Sequence, residues 1–232
     1  MDFIVKDNAV GLKLVEELGA DKLRFQLGVK LDNKRNWSGP VGEAYHLYLI
    51  KIKLQKRHGR TSDKAEGDVK MKIIALSALC LCEFGNTLVL NNWYTICGCI
   101  GSDFDSIMEW VFNPLMAKRS GQIELALNPV PLTIAGRGSI WLVEEIWDQK
   151  VQQIVNYEVV VEHVVGDNPF GIVVRLVVAK DMMPPSMDGS YIPGLRVAFR
   201  GILIDSEDGG EEIRVEVKFW VALDLNVSLG LH

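Results

Sequence analysis

Four cysteines fall in two close pairs, Cys80-x-Cys82 and Cys97-x-Cys99, and paired thiols are the first place to look for chemistry in this chain. A structural zinc needs four thiolates converging within about 2.3 Å of one point, usually from pairs spaced Cys-x2–4-Cys. Both pairs are tighter than that. If 70–84 and 86–100 form a hairpin turning near Gly85-Asn86, Cys80 and Cys82 face Asn91 and Val89, while Cys97 and Cys99 face Ile74 and Lys72. At about 3.3 Å per residue the pairs then lie too far apart to share one ion. If 70–84 is helical instead, Cys80 and Cys82 point in different directions. The thiols read as buried core groups, with no metal site and no cofactor.

Asp103-Phe104-Asp105 follows an apolar segment and has the spacing of a metal- or nucleotide-binding carboxylate pair. That chemistry needs Mg²⁺ and further partners on other strand ends. A plainer account explains the same residues: Ser102 caps a helix, and the two carboxylates favour the positive end of its dipole. Gly136-Arg137-Gly138-Ser139 offers a turn whose backbone N–H groups would cradle a phosphate if a helix opened behind it. The position where a dinucleotide fingerprint needs its third glycine is Trp141, and no Walker lysine is present. No serine sits in a Gly-x-Ser-x-Gly elbow. Of His46, His58, His163 and His232, the first falls in an inward register and the third sits at a strand end beside Glu162. His58 alone lies where a functional role is reasonable.

Charge is more informative than any of these motifs. Lys51, Lys53, Lys56, Arg57, Arg60, Lys64, Lys70 and Lys72 face only Asp63, Glu66 and Asp68 between Tyr45 and Lys72. Acids dominate from Gly138 onward, with clusters at Glu144-Glu145 and Asp205–Glu212. Lys51, Lys53, Lys56, Arg57, His58, Arg60 and Lys64 are therefore the candidate surface for phosphates, on nucleic acid or an anionic membrane. The patch holds no stacking aromatics of the RNA-recognition type. A basic loop on one copy and an acidic end on the next also suggest head-to-tail self-association. Met182, Met183, Pro184, Pro185, Met187 and Tyr191 add an adaptable apolar loop to that contact.

The elements that must hold these groups are read from periodicity. Ile213, Val215, Val217, Phe219, Val221, Leu223 and Leu225 alternate with Arg214, Glu216, Lys218, Trp220, Ala222 and Asp224, a half-exposed strand. Lys22–Leu31, Tyr45–Gln55, Asn86–Ile100 and Val151–Val165 read as strands, with short ones at Gln122–Leu127 and Val130–Ala135. Phe170–Lys180, apolar almost throughout, reads as a central strand. Leu195–Asp205 and Glu211–Leu225 make a hairpin that sets Arg200 opposite Glu216. Helices are expected at Ala9–Leu18 and Asp103–Lys118, the second ended or kinked by Pro114. Lys70–Phe84 and Ser139–Lys150 fit helix or strand. Asn33–Gly42, Lys56–Asp68 and Met182–Pro193 read as loops. No internal repeat emerges.

At 232 residues and 48% hydrophobic, the chain buries a sizeable core. The expected class is α+β: a mostly antiparallel sheet with a C-terminal meander and a few short helices. One domain over 1–232 is expected, with 1–120 and 121–232 as the subdivision if there are two. No apolar run approaches the ~18 residues of a bilayer span, and no signal peptide is visible, so the reading is intracellular and cytoplasmic with reduced thiols. A net charge of −5 argues against a wholly basic nucleic-acid binder. The function these features suggest is a non-enzymatic binding and assembly protein. It would contact an anionic polymer or membrane through its basic loop and form a homo-oligomer, a profile that fits a viral matrix- or movement-type accessory protein. The alternative is a metal- or nucleotide-dependent enzyme using Asp103 and Asp105 or the Gly136–Ser139 turn.

Overall fold

The computed structural model describes residues 23–38, 44–55, 69–79, 88–102, 108–121, 131–163, 171–183, 194–205 and 212–223. Twelve strands hold most of them: β1 (Leu23–Lys30), β2 (Asn33–Ser38), β3 (Ala44–Gln55), β4 (Val69–Leu79), β5 (Trp93–Ser102), β6 (Met108–Phe112), β7 (Lys118–Ser120), β8 (Thr133–Asp148), β9 (Gln153–His163), β10 (Ile172–Ala179), β11 (Arg196–Ile204) and β12 (Ile213–Ala222). The helical content of the described residues is two 3-10 turns, Pro114–Met116 and Lys180–Met182. The fold is all-β, not α+β.

Alternation explains why these segments are strands. Leu23, Phe25, Leu27 and Val29 are buried on β1, as are Tyr48, Ile50, Ile52 and Leu54 on β3 and Ile213, Val215 and Val217 on β12. What alternation leaves open is which strand lies beside which. β8 pairs with β9, β9 with β10, β10 with β12, β12 with β11, and β11 returns to β8. Every pair in this closed five-stranded ring is antiparallel except β10–β12, which is parallel. The C-terminal third is thus no meander, because β12 inserts between β10 and β11. This is the strand circuit of an OB-type barrel.

The same circuit occurs in the first half. β1 and β2 are separated only by Leu31 and Asp32 and act as one bent strand; β1 pairs with β5 and β2 with β3. The ring continues β3–β4, β4–β6 and β6–β5, again with one parallel pair, β4–β6. β8 divides its partners in the same way, giving Arg196–Ile202 of β11 to its first half and β9 to its second. A repeat invisible in the residues is therefore present in the pairing. The two rings join where β1 runs antiparallel to β8, Phe25 opposite Ile134. One buried cluster extends through both, and Tyr48, Phe112 and Phe199 are its largest fully buried side chains.

Several local expectations are overturned, each for an identifiable reason. The helix expected over 103–118 is interrupted by β6, where Trp110, Val111 and Phe112 favour a pleated, half-buried surface. Pro114 opens a 3-10 turn whose start is capped by Asn113, its Oδ1 accepting from the Leu115 N–H at 2.9 Å. The loop expected from Asn33 is strand as far as Ser38. The two segments left open between helix and strand are settled as strand, Lys70–Phe84 through Leu79 and Ser139–Lys150 to Asp148. β4 and β5 are not a hairpin, because β6 lies between them. The register sets Glu216 opposite Ile202, where it pairs with Lys218 at 2.7 Å, and a bulge between Arg200 and Gly201 places Phe219 opposite Arg200. The helix expected at 9–18 and the loop 56–68 lie outside the described residues.

The Gly136–Ser139 turn does not exist. Gly136 and Gly138 lie inside β8 because neighbours come too close for a side chain. A Cβ on Gly136 would stand 2.6 Å from Leu23 Cδ1, at the junction of the two rings. One on Gly138 would stand 2.4 Å from the Glu162 carbonyl oxygen. No helix follows, so no phosphate cradle forms there.

Candidate nucleic-acid interface

β3 buries Tyr48, Ile50, Ile52 and Leu54, so the pleat turns Lys51 and Lys53 outward, and both are exposed. Their cross-strand partners on β4 are Ile73 opposite Lys51 and Met71 opposite Lys53. Ile73 is 62% exposed and Met71 51%. Leu49 opposite Ala75 and Leu47 opposite Ser77 continue the same surface. The described face therefore alternates ammonium groups with bare aliphatic side chains and holds no carboxylate. Lysine stems lying along such apolar neighbours keep their charged ends at the surface.

β2 forms the edge of this face. Its register sets Asn33 opposite Leu49, Arg35 opposite Leu47 and Trp37 opposite Tyr45. Arg35 and Trp37 escaped the sequence reading because Asn33–Gly42 looked like a loop; the alternate spacing of Asn33, Arg35 and Trp37 was the available signal. Lys70 and Lys72 do not belong to the face. They stand opposite Leu54 and Ile52 in the inward register, and Lys72 is half-buried. Lys56, Arg57, His58, Arg60 and Lys64 lie outside the described residues, in the β3–β4 connection.

The corresponding face of the second ring, β9–β10, is closed by ion pairs. Glu158 Oε1 accepts from Arg175 Nη1 at 3.0 Å, and its Oε2 accepts from Arg214 Nη2 at 2.9 Å. Arg175 Nε also donates to Glu212 at 2.6 Å. The hydrogen bond to Glu212 leads the interactions that hold the Arg175 guanidinium even further above neutrality than usual. These cations are committed to carboxylates.

The β8–β9 hairpin is the other conspicuous surface. Bulges at Ile140/Leu142 and Ile146/Trp147 break its alternation and leave Trp141 and Trp147 58% and 46% exposed. Trp147 Nε1 donates to Glu145 Oε2 at 3.0 Å. Glu144, Glu145 and Asp148 surround the rings against Lys150 alone, which sets the hairpin's charge against phosphate.

The remaining predicted residues are dispersed. Met183 is buried, and Met182 packs on the core with its carbonyl accepting from Trp220 Nε1 at 2.9 Å. Pro184, Pro185, Met187 and Tyr191 lie outside the described residues, as do Asp103, Asp105, His58, Cys80 and Cys82. His163 is buried with its Nδ1 against the Arg137 carbonyl, a structural role. Cys97 is exposed and Cys99 half-exposed, opposite Gln26 and Arg24, so neither is the core thiol expected. No cluster of metal-ligating side chains occurs among the described residues, and no described helix is long and apolar enough to cross a membrane.

No known protein-family profile matches the chain, and no curated protein sequence does. Solved structures do. The wild-type single-stranded DNA binding protein from Thermus aquaticus matches with a TM-score of 0.56 and 10% identity, over 87% of this chain and 92% of that one. A deletion variant of the same protein matches with a TM-score of 0.57 and 10% identity, over 87% and 94% of the two chains. At such identity the likeness establishes the fold, here over most of both chains.

Proposed function

We propose that this chain is a non-enzymatic single-stranded nucleic-acid-binding protein and that the outward face of β2, β3 and β4 is its binding surface. The observation that carries the reading is the placement of Lys51 and Lys53 beside bare Ile73 and Met71. That face belongs to the second and third strands of the first barrel, the part of an OB-type barrel suited to oligonucleotides. Lysines neutralise backbone phosphates and release counterions, while the exposed apolar side chains of Ile73 and Met71 offer a surface for unstacked bases. The basic side chains Lys56, Arg57, Arg60 and Lys64 would extend the surface along the β3–β4 connection. The likeness in fold to the single-stranded DNA binding protein from Thermus aquaticus supports the same reading. Nothing in the fold favours a membrane surface or a viral structural role.

The test is anisotropy of a labelled oligothymidine titrated at several salt concentrations. On single strands each phosphate contact contributes about 0.7 to the logarithmic salt slope. Lys51→Ala/Lys53→Ala should lower the slope by about 1.4, so that from 50 to 200 mM salt the native protein loses about seven-fold more affinity than the variant. An unchanged slope and affinity with an intact fold would remove this face from the proposal.

A further inference from the structure

A second positively charged surface lies on the other side of the first barrel, where the two rings join. The register aligns Cys99 of β5, Arg24 of β1, Ala135 of β8 and Arg200 of β11 in one row across four adjacent strands. Leu23 and Phe25 are buried on β1, as is Phe199 on β11, so Arg24 and Arg200 point outward, and both are exposed. Ala135 between them is short, which leaves a trough flanked by two guanidinium groups about 10 Å apart at the backbone, two inter-strand spacings. Neither arginine is ion-paired with a described residue. The next row holds Cys97, Gln26, Thr133 and Ile202, all uncharged.

Further cations border the trough. Arg137 is half-buried two residues along β8 from Ala135, and its Nε is buried without an acceptor. Lys118 of β7 is exposed opposite Thr95 and near enough for its charge to act on Cys97. The described outward positions of β1, β5, the first half of β8 and β11 include no carboxylate. The nearest acids stand on the flanking strands: Glu109 of β6 lies opposite Gly101, and Glu216 of β12, paired with Lys218, lies opposite Ile202; Glu162 opposite Ser139 and Asp32, which bonds Lys30 at 3.2 Å, are farther off.

We propose that this sheet between the barrels is a second phosphate-binding track, on which the backbone of a longer nucleic-acid strand crosses from one ring to the other through Arg24, Arg137 and Arg200. The choice of nucleic acid as the anion rests on the function proposed above; the surface itself does not share a residue with the β3–β4 face. A guanidinium forks two N–H donors onto phosphate oxygens, and a pair of them across a shallow row suits a continuous backbone better than a single small anion.

Cys97, opposite Gln26 in the row next to that of Arg24, is a built-in reporter. The experiment alkylates the protein with iodoacetamide, with and without a saturating oligothymidine of about 30 nucleotides, long enough to exceed the ~4–16 nucleotides of one OB fold. Saturation is verified by anisotropy, and Cys97 is followed by peptide mapping. The strand should slow Cys97 alkylation at least three-fold in the native protein. It should do so much less in Arg24→Ala/Arg200→Ala, whose salt slope for the same strand should fall by about 1.4. An oligomer of about 8 nucleotides, short enough for one OB face, should leave Cys97 unprotected. Unchanged Cys97 kinetics with the long strand bound overturns the track and leaves the β3–β4 face standing. Protection of Cys97 with normal binding by Lys51→Ala/Lys53→Ala does the reverse. Absence of any binding by the native protein overturns both.

Discussion

Gly138→Ala should destabilise the protein severely, and the amount follows from what the added methyl would meet. Its carbon would lie 2.4 Å from the Glu162 carbonyl oxygen, 2.4 Å from Val161 Cγ1 and 3.0 Å from the Glu162 carbonyl carbon. A valine methyl can rotate aside, but a backbone oxygen in β9 moves only with its strand. Relief therefore requires β8 and β9 to separate where β8 passes from β11 to β9, with Ser139 opposite both Arg196 and Glu162. Overpacking costs about 1–3 kcal/mol when side chains can adjust, and the rigid carbonyl puts this site at the upper end. For a chain of this size that corresponds to a fall of about 6–12 °C in Tm. Thermal unfolding by circular dichroism measures it, with Gly121→Ala as the control, because nothing lies within 4 Å of a Cβ there. The control should stay within about 0.5 kcal/mol of the native protein, as substitutions away from such contacts do. If Gly138→Ala unfolds at the same temperature as the control, β8 does not run through 136–139 and the partner exchange that closes the second ring is wrong.

Two more outcomes follow from the charged groups. Glu158→Ala removes one carboxylate partner from both Arg175 and Arg214, the latter's side chain only 12% exposed, and should cost about 3 kcal/mol, read from the urea midpoint. Glu212→Ala breaks only the half-exposed end of the network and should cost less than about 1 kcal/mol; equal losses would contradict the geometry. At Cys97 desolvation pushes the thiol pKa up, and the charge of Lys118 opposes this without cancelling it. Because the thiolate is the nucleophile, the pH at which Cys97 alkylation reaches half its maximal rate should lie above that of an ordinary cysteine. Lys118→Ala should move that pH higher still, and a move to lower pH would remove Lys118 from the neighbourhood of Cys97.

Several of the strands were legible in the sequence and their partners were not. β1, β3, β9 and β10 fall close to the expected segments because one face of each is buried, and burial imprints a period of two on the residues. The same imprint is silent about neighbours: Ile213, Val215 and Val217 would alternate identically beside β11 alone or between β10 and β11. The helix expected over 103–118 shows the opposite failure. Ile107, Val111 and Leu115 match a helical spacing, yet Trp110-Val111-Phe112 had to cover the Phe25 ring and the Tyr48 ring, which lie 5.1 and 6.0 Å from Trp110 and Phe112. Tertiary contact overrode local pattern there. Lys51 and Lys53 were visible as a charged strand, whereas Arg24 and Arg200 were not visible as a pair. Nothing in a linear chain brings two positions so far apart into one row until β1, β8 and β11 are known to be adjacent.

Two rings with one strand circuit have taken opposite courses on matching faces. On β3–β4 the outward lysines stand beside Ile73 and Met71, and no carboxylate among the described residues of that face neutralises them. On β9, β10 and β12 the outward cations Arg175 and Arg214 are held by Glu158 and Glu212 at 2.6–3.0 Å. A phosphate approaching the second face would have to displace a carboxylate already making charge-assisted hydrogen bonds and would meet repulsion from the one it displaced. One approaching the first face displaces only water and counterions, and the counterions it releases favour binding. The asymmetry therefore resides in the acids more than in the bases. Both faces carry cations, and the presence of Glu158 and Glu212 decides which of them remains available to a ligand.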